Sequence, residues 1–383
     1  MKPAAKTASG LVRFNAFLFV STFARSLIEI FVALYFFKNG FQLQSIVLFY
    51  LLENIYAVFL TYIFVRLGEK LRYSIVLYIG VAAFIVFQLM LNSPVDSLWY
   101  IVLSSFLYTV YRRGYWTARR NYATNIMPSK NSSGQFSITM VVTELASIFA
   151  GLLGGLVLDN FDSLTMTILA SALLVLSVVP LFGMERKHAK NKTKIQLCKN
   201  LKKFNKLNVL AFSVYEITHL LTFFFPVFIA LYIGNTYSMT GSMSAISSIS
   251  VFVLVLSYGQ LIKKKNFFIL SVLLFIAINC VKLVPIDYVF AVASFVCGII
   301  SRMFTQSTNK IYYESRNGMD PANYSLVYLF VESVARTIVS VPLLFIGDVR
   351  IMLIYVLAVM AVGLFLYMIL RKGCKSIEKE RYR

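Results

Sequence analysis

Charge is what this sequence has least of for its length. Only 14% of its 383 residues are Asp, Glu, Lys or Arg, against roughly 25% in soluble globular domains, while 59% are hydrophobic. That balance excludes an ordinary soluble domain. Histidine is nearly missing, and His188 and His219 stand too far apart in sequence to form a ligand pair. The four cysteines, Cys198, Cys280, Cys297 and Cys374, show no CxxC or Cys/His spacing, so neither a disulfide framework nor a metal site is indicated. No glycine-rich nucleotide loop is present and no Ser/His/Asp or Cys/His set has catalytic spacing. A protein without enzymatic activity or cofactor is expected. The strict alternation of a membrane β-barrel is also missing.

What the chain does have is long apolar runs. A helix that crosses a bilayer needs about 20 apolar residues, and about twelve such stretches follow one another here. They cover 14–37, 43–66, 72–92, 97–122, 135–159, 163–184, 207–233, 238–262, 266–284, 288–313, 323–347 and 351–370. Lys2 and Lys6 ahead of the first run superficially resemble a signal peptide. Arg25 and Glu29 inside that run, and the lack of a small-residue cleavage site, point instead to a retained first helix. The expected fold class is an all-α membrane protein.

The net charge of +21 is not spread evenly. Basic residues gather in alternate connections: the start of the chain, Arg66/Lys70/Arg72, Arg119/Arg120/Lys130, the 185–206 segment, Lys263/Lys264/Lys265, Lys310/Arg316 and the 372–383 tail. The intervening connections carry Lys38, Asp96, Asp159/Asp162, Lys282/Asp287 and Asp348/Arg350. Such alternation is the positive-inside pattern. It predicts a multi-pass protein of the cytoplasmic membrane with both termini cytoplasmic. Anionic inner-leaflet lipid is the expected partner of that charge, and nucleic acid is not, since no basic domain lies outside the spans.

A few charges stand inside the spans, where each costs about 2.5–3.5 kcal/mol even on a mild scale. These are Arg25, Glu29, Glu53, Arg112, Arg113, Glu144, Glu216, Arg302, Glu332 and Arg336. The third, sixth, ninth and twelfth spans carry none in their interiors. Such residues face a protein interior or a hydrated cavity, so a hollow ringed by spans 1, 2, 4, 5, 7, 8, 10 and 11 is expected, with the rest as an outer brace.

The chain also reads as one unit written twice. The basic segment 185–206 separates six spans (1–184) from six (207–371). Phe31-Val32-Ala33-Leu34-Tyr35 is echoed by Phe228-Ile229-Ala230-Leu231-Tyr232, and at a common offset Glu144, Asn121 and Phe136 match Glu332, Asn309 and Tyr324. Parallel repeats with a site at their interface are a transporter plan.

Three motifs carry a family likeness. Between spans two and three stand Thr61 and then Val65-Arg66-Leu67-Gly68-Glu69-Lys70-Leu71-Arg72; Trp116-Thr117-Ala118 precedes Pro128; and the fifth span has Ala146-x3-Ala150-Gly151-x2-Gly154-Gly155. The chain resembles the major facilitator superfamily over essentially its whole length. Its first signature there is Gly-x3-Asp-Arg-x-Gly-Arg-Arg, from which Thr61 and Val65 depart, and the second-half counterpart Gly259-x3-Lys263-Lys264-Lys265 keeps little of it. The fifth-span stretch is similar to that of the family's exporters, with Gly151 in place of their proline, and equally suits close helix packing.

The likeness implies secondary transport by alternating access. Arg25, Arg112, Arg113, Arg302, Arg336, Tyr115 and Trp116 are the expected substrate or gating residues. Glu29, Glu53, Glu144, Glu216, Glu332 and His219 are the expected proton-coupling residues. Arg25/Glu29 and Glu332/Arg336 lie one turn apart and can pair locally, whereas Glu53, Glu144 and Glu216 have no basic residue one turn away. Expected partners are a small-molecule substrate and protons, and a monomer is expected. Export of a small amphipathic compound leads. Lipid-headgroup translocation, uptake of an anionic solute and a non-transporting scaffold or sensor stand as alternatives.

Overall fold

The computed structural model describes residues 3–95, 97–126, 132–182, 197–258, 267–315 and 321–381. Lys2, Asp96, Pro128, Lys130, His188, Gly259, Lys263, Lys264, Lys265 and Arg316 lie outside them, as does the 183–196 part of the expected linker. Helices are the only regular structure among the described residues. They are α1 (Pro3–Glu29), α2 (Val32–Lys38), α3 (Leu43–Lys70), α4 (Tyr73–Leu91), α5 (Leu98–Ile126), α6 (Ser132–Asn160) and α7 (Ser163–Val178), then α8 (Leu197–Lys203), α9 (Lys206–Tyr232), α10 (Tyr237–Tyr258), α11 (Phe268–Val281), α12 (Asp287–Ser315), α13 (Pro321–Leu343) and α14 (Val349–Arg381).

Ten helical segments among the described residues are long and apolar enough to cross a membrane. Two expected spans fall short for separate reasons. α5 has 29 residues but carries Arg112, Arg113, Arg119 and Arg120, and α11 has only 14 residues. Both occupy the predicted places in the order: α5 packs against α3 and α4, and α11 against α12 and α14. The outer faces remain apolar, with Ile168, Leu169, Val175 and Leu176 of α7 and Ile351, Ile354, Phe365 and Ile369 of α14 exposed. An apolar face of that extent in water would be an association surface; against acyl chains it is the natural covering.

Several boundaries differ from the apolar runs. The first span begins at Pro3 and breaks between Glu29 and Val32, where the Phe31 N–H donates to the Ile28 carbonyl at 2.9 Å in a tighter turn. The basic 66–72 stretch is mostly the last turn of α3 rather than a loop; only Leu71 and Arg72 separate it from α4. α14 continues to Arg381, so the tail expected to begin at 372 is helical. The end of the linker is also helical, as α8, with Leu197 and Leu201 packed against a cluster of Phe204, just after α8, Phe212 of α9 and Tyr324 of α13.

Local chemistry sets the turns. α2 ends with Gly40 at φ +83°, the Gly40 N–H donating to the Phe37 carbonyl and the Phe41 N–H to the Phe36 carbonyl, each at 3.1 Å. This is the Schellman arrangement, completed by the Phe36 and Phe41 rings 5.1 Å apart. Asp162 caps α7 by accepting from the Thr165 N–H at 3.0 Å and from its hydroxyl. Those hydrogen bonds hold the exposed Asp162 carboxyl below its usual range.

Helices of the first half of the chain meet those of the second along α3 with α13, α6 with α10, and α2 with α9. The α6–α10 contact runs backbone to backbone. A Cβ on Gly241 would drive into the carbonyl of Gly151, and one on Gly155 would stand 2.7 Å from the Ser238 Cα. The small residues of the fifth span therefore pack between the two halves, as close helix approach requires.

Candidate functional site

Arg25 and Glu29, one turn apart on α1, form the expected local pair at 3.1 Å. The Arg25 guanidinium also lies 5.3 Å from the ring centres of both Tyr115 and Trp116 on α5, a cation–π arrangement that partly replaces lost hydration. Beside it, the fully buried Glu53 of α3 accepts from Arg112 at 2.7 Å. The expectation that Glu53 stands unpaired is thus corrected. Its counter-charge comes from a neighbouring helix, which spacing along α3 cannot reveal.

A second network joins α5, α9 and α13. Glu216 accepts from Arg336 at 2.5 Å and from the Tyr328 hydroxyl, with the His219 Nε2 3.6 Å away. Arg336, buried to 1% exposure, also pairs with Glu332 at 3.1 Å, and Arg113 reaches Glu332 from the first half of the chain at 3.3 Å. Glu216 is therefore not unpaired either. Arg112 and Arg113 point about 100° apart, and each takes its own carboxylate. Arg120, expected in a connection, is helical and lies over the Tyr328 ring at 5.2 Å.

Glu144 differs from the other interior carboxylates. It is half-buried on α6, near the Ser248 side chain of α10 and within electrostatic reach of Arg302 on α12. No cation among the described residues stands within 4 Å of it. Arg302 is buried, with no hydrogen-bond partner for its Nε among the described residues.

Between the two halves lies a cavity of about 400 Å³. Its charged lining is Arg25, Glu29, Arg112 and Lys282. Aromatic lining comes from Tyr50, Tyr108, Trp116, Phe223, Phe225 and Phe290, among others. Tyr50 of α3 and Phe223 of α9 stack across it, 3.9 Å apart with planes 9° from parallel. Pro226 inside α9 has no N–H to offer the Thr222 carbonyl, and both residues line the cavity, leaving that carbonyl as a backbone acceptor there.

Of the expected site residues, Arg25, Glu29, Arg112, Trp116 and His219 line this cavity. Tyr115, Arg113, Arg302, Arg336, Glu53, Glu144, Glu216 and Glu332 are absent from its walls. Tyr115, expected as a substrate or gating residue, is buried beside α1, its hydroxyl 3.1 Å from that of Ser21. The ninth span was expected in the outer brace, yet α11 supplies Phe275, Asn279 and Lys282 to the cavity. Lys282 went unnoticed in the sequence because it stands at the end of an apolar run and reads as part of a connection.

At one end of the bundle the two halves are bonded to each other. Asp159 at the end of α6 accepts from the Tyr237 and Ser238 N–H groups that open α10, at 2.9 and 2.7 Å, where a helix N-terminus favours negative charge. Phe31, Leu34 and Ala230 pack together beneath.

The sequence model of the Major Facilitator Superfamily matches residues 15–340. The chain belongs to that superfamily. Among solved structures, this member is similar to a POT family transporter in complex with 5-aminolevulinic acid (TM-score 0.72, 12% identity, 96% of each chain covered). It is similar as well to a bacterial homologue of the human drug peptide transporters (TM-score 0.71, 11% identity, 97% of this chain and 99% of that one). A third is the nucleoside transporter NupG (TM-score 0.70, 15% identity, 94% of this chain and 99% of that one). No curated protein sequence matches. The superfamily match makes the chain a multi-pass membrane protein of a transporter family, not an enzyme.

Proposed function

We propose that this superfamily member is a secondary active transporter that exports a small amphipathic compound in exchange for protons. Residues 1–184 and 207–371 would rock about the cavity between them, in the cytoplasmic membrane with both termini inside and the Asp159 end outside. The observation that carries the reading is a cavity walled by both halves, with ionised groups beside aromatic rings, as an amphipathic ligand requires. The backbone contact of the small-residue stretch on α6 with α10 supports movement between the halves there. Basic residues at the opposite end would meet anionic inner-leaflet lipid.

Glu144 is the favoured proton site. A carboxylate at the junction of the halves with no cation at ion-pair distance among the described residues can take and release a proton without breaking a buried pair. Glu53, Glu216 and Glu332 cannot. In liposomes holding a pH-sensitive dye, transported compounds are expected to move protons with the native protein. With Glu144→Gln that proton movement falls at least about tenfold, the scale of a lost proton-transfer group, while compound exchange persists. Equal proton movement in the two proteins would remove Glu144 from this role, and none with any transported compound would remove proton exchange itself.

A second reading, uptake of an anionic solute, is favoured by the cavity's charge. Arg25, Arg112 and Lys282 face it, against Glu29 as the one carboxylate among its described lining residues.

A further inference from the structure

Lys282 follows the last turn of α11 and lies inside the cavity wall rather than outside it. Its ammonium sits 3.8 Å from the ring centre of Phe225 and 4.9 Å from that of Phe290. A lysine at the end of a spanning helix ordinarily reaches outward to the headgroups; this one is folded inward onto two ring faces. No carboxylate among the described residues stands within 4 Å of it, whereas Arg25, Arg112, Arg113 and Arg336 all have one. Lys282 is half-buried, and a partly desolvated cation without a counter-charge is costly, a cost that ring faces return only in part.

The surroundings of Lys282 are polar on one side and apolar on the other. Ser294 and Cys297 of α12 are buried and line the same cavity as Lys282. Asn279 holds Cys297 in place: its Oδ1 accepts from the Cys297 Sγ at 3.8 Å, and its Nδ2 donates to the Phe275 carbonyl at 2.7 Å. The two rings, in edge-to-face contact with centres 5.9 Å apart, close the apolar side of the same wall beside the ammonium.

We infer that Lys282, Ser294 and Cys297 form a subsite for the anionic group of a small organic anion, whose apolar body lies against Phe225 and Phe290. The inference deepens the transport reading, since it names the class of compound the cavity takes. It rests on that reading only for the fate of the ligand; the pocket and its charge stand without it.

Cys297 provides a direct probe. In full-length purified protein with Cys198, Cys280 and Cys374 replaced by serine, the modification rate of Cys297 is measured with two thiosulfonate reagents of like size. One carries a sulfonate and the other a trimethylammonium group. The anionic reagent is expected to react faster, and Lys282→Gln to lower the anionic-to-cationic rate ratio about tenfold or more, the scale of focusing by charge in a low-dielectric cleft. Lys282→Arg keeps the preference, which separates charge from simple packing. Millimolar benzoate slows the reaction in the lysine protein, and benzamide does so far less. An unchanged ratio in Lys282→Gln, a Cys297 that neither reagent reaches, or protection by phosphatidylglycerol but not benzoate would each overturn the inference. The labelling reads only the charge at Cys297, so its failure would leave the proton-exchange measurements in liposomes standing, and the reverse.

Discussion

Arg336→Met is expected to be the most damaging single substitution in the chain. Arg336 is buried and serves Glu216 and Glu332 at once. Removing it leaves two neighbouring carboxylates with Arg113, at Glu332, as the one arginine at ion-pair distance among the described residues. Breaking a buried pair in this way costs about 3–5 kcal/mol, because the abandoned charge has no water to return to. For a chain of this size that corresponds to a fall in Tm of about 4–6 °C in detergent. The mechanism has its own check. Adding Glu216→Gln to the Arg336→Met protein removes the stranded charge, and the double variant is expected to melt above the single one. A double variant that melts lower would show Arg336 acting through packing alone, and an unchanged Tm in the single variant would show the network to be energetically idle.

Gly241→Val is expected to stop transport by a different route, with little loss of fold. In this structure α6 and α10 touch through Gly151 and Gly241, so closely that even a Cβ on Gly241 meets the Gly151 carbonyl. Overpacking of this kind costs about 1–3 kcal/mol. Here the cost falls on one conformation, the one in which the Asp159 end is shut. Helices that separate when that end opens carry no such penalty there, so the population shifts toward the open form. A cysteine at Ser244, which lines the cavity, is expected to react about tenfold or more faster with a membrane-impermeant maleimide applied to intact cells when Gly241 is valine. The control is Gly234→Ala. There the nearest atom to an added Cβ is the Met239 Cγ at 3.4 Å, an ordinary contact. Equal labelling in all three proteins would mean that the α6–α10 contact does not govern opening.

Much of the fold could be read from the sequence because lipid leaves few choices. Apolar runs of spanning length declare themselves, and the interior charges stand out against them. The helix-local pairs Arg25/Glu29 and Glu332/Arg336 were equally legible, since four residues make one turn. Glu53 and Glu216 were not. Their arginines lie 59 and 120 residues away on other helices, and periodicity along one helix carries no information about its neighbours. The same limit hid the cavity's walls. Tyr115 and Trp116 are adjacent in sequence, yet one is sealed against Ser21 and the other lines the cavity. Lys282 shows the converse error. A charge at the end of an apolar run looks like an anchor in the headgroups, and only the fold reveals that it turns back over Phe225.

The depth of the two arginine–glutamate networks has a bearing on the habitat in which such a protein can work. Dissolved ions weaken exposed charge pairs beyond the Debye length, about 8 Å at physiological ionic strength, but buried pairs far less. Arg336, Glu332, Glu216 and Glu53 are all shut away from the medium. Brine or rainwater outside the cell would leave these internal tethers at nearly the same strength.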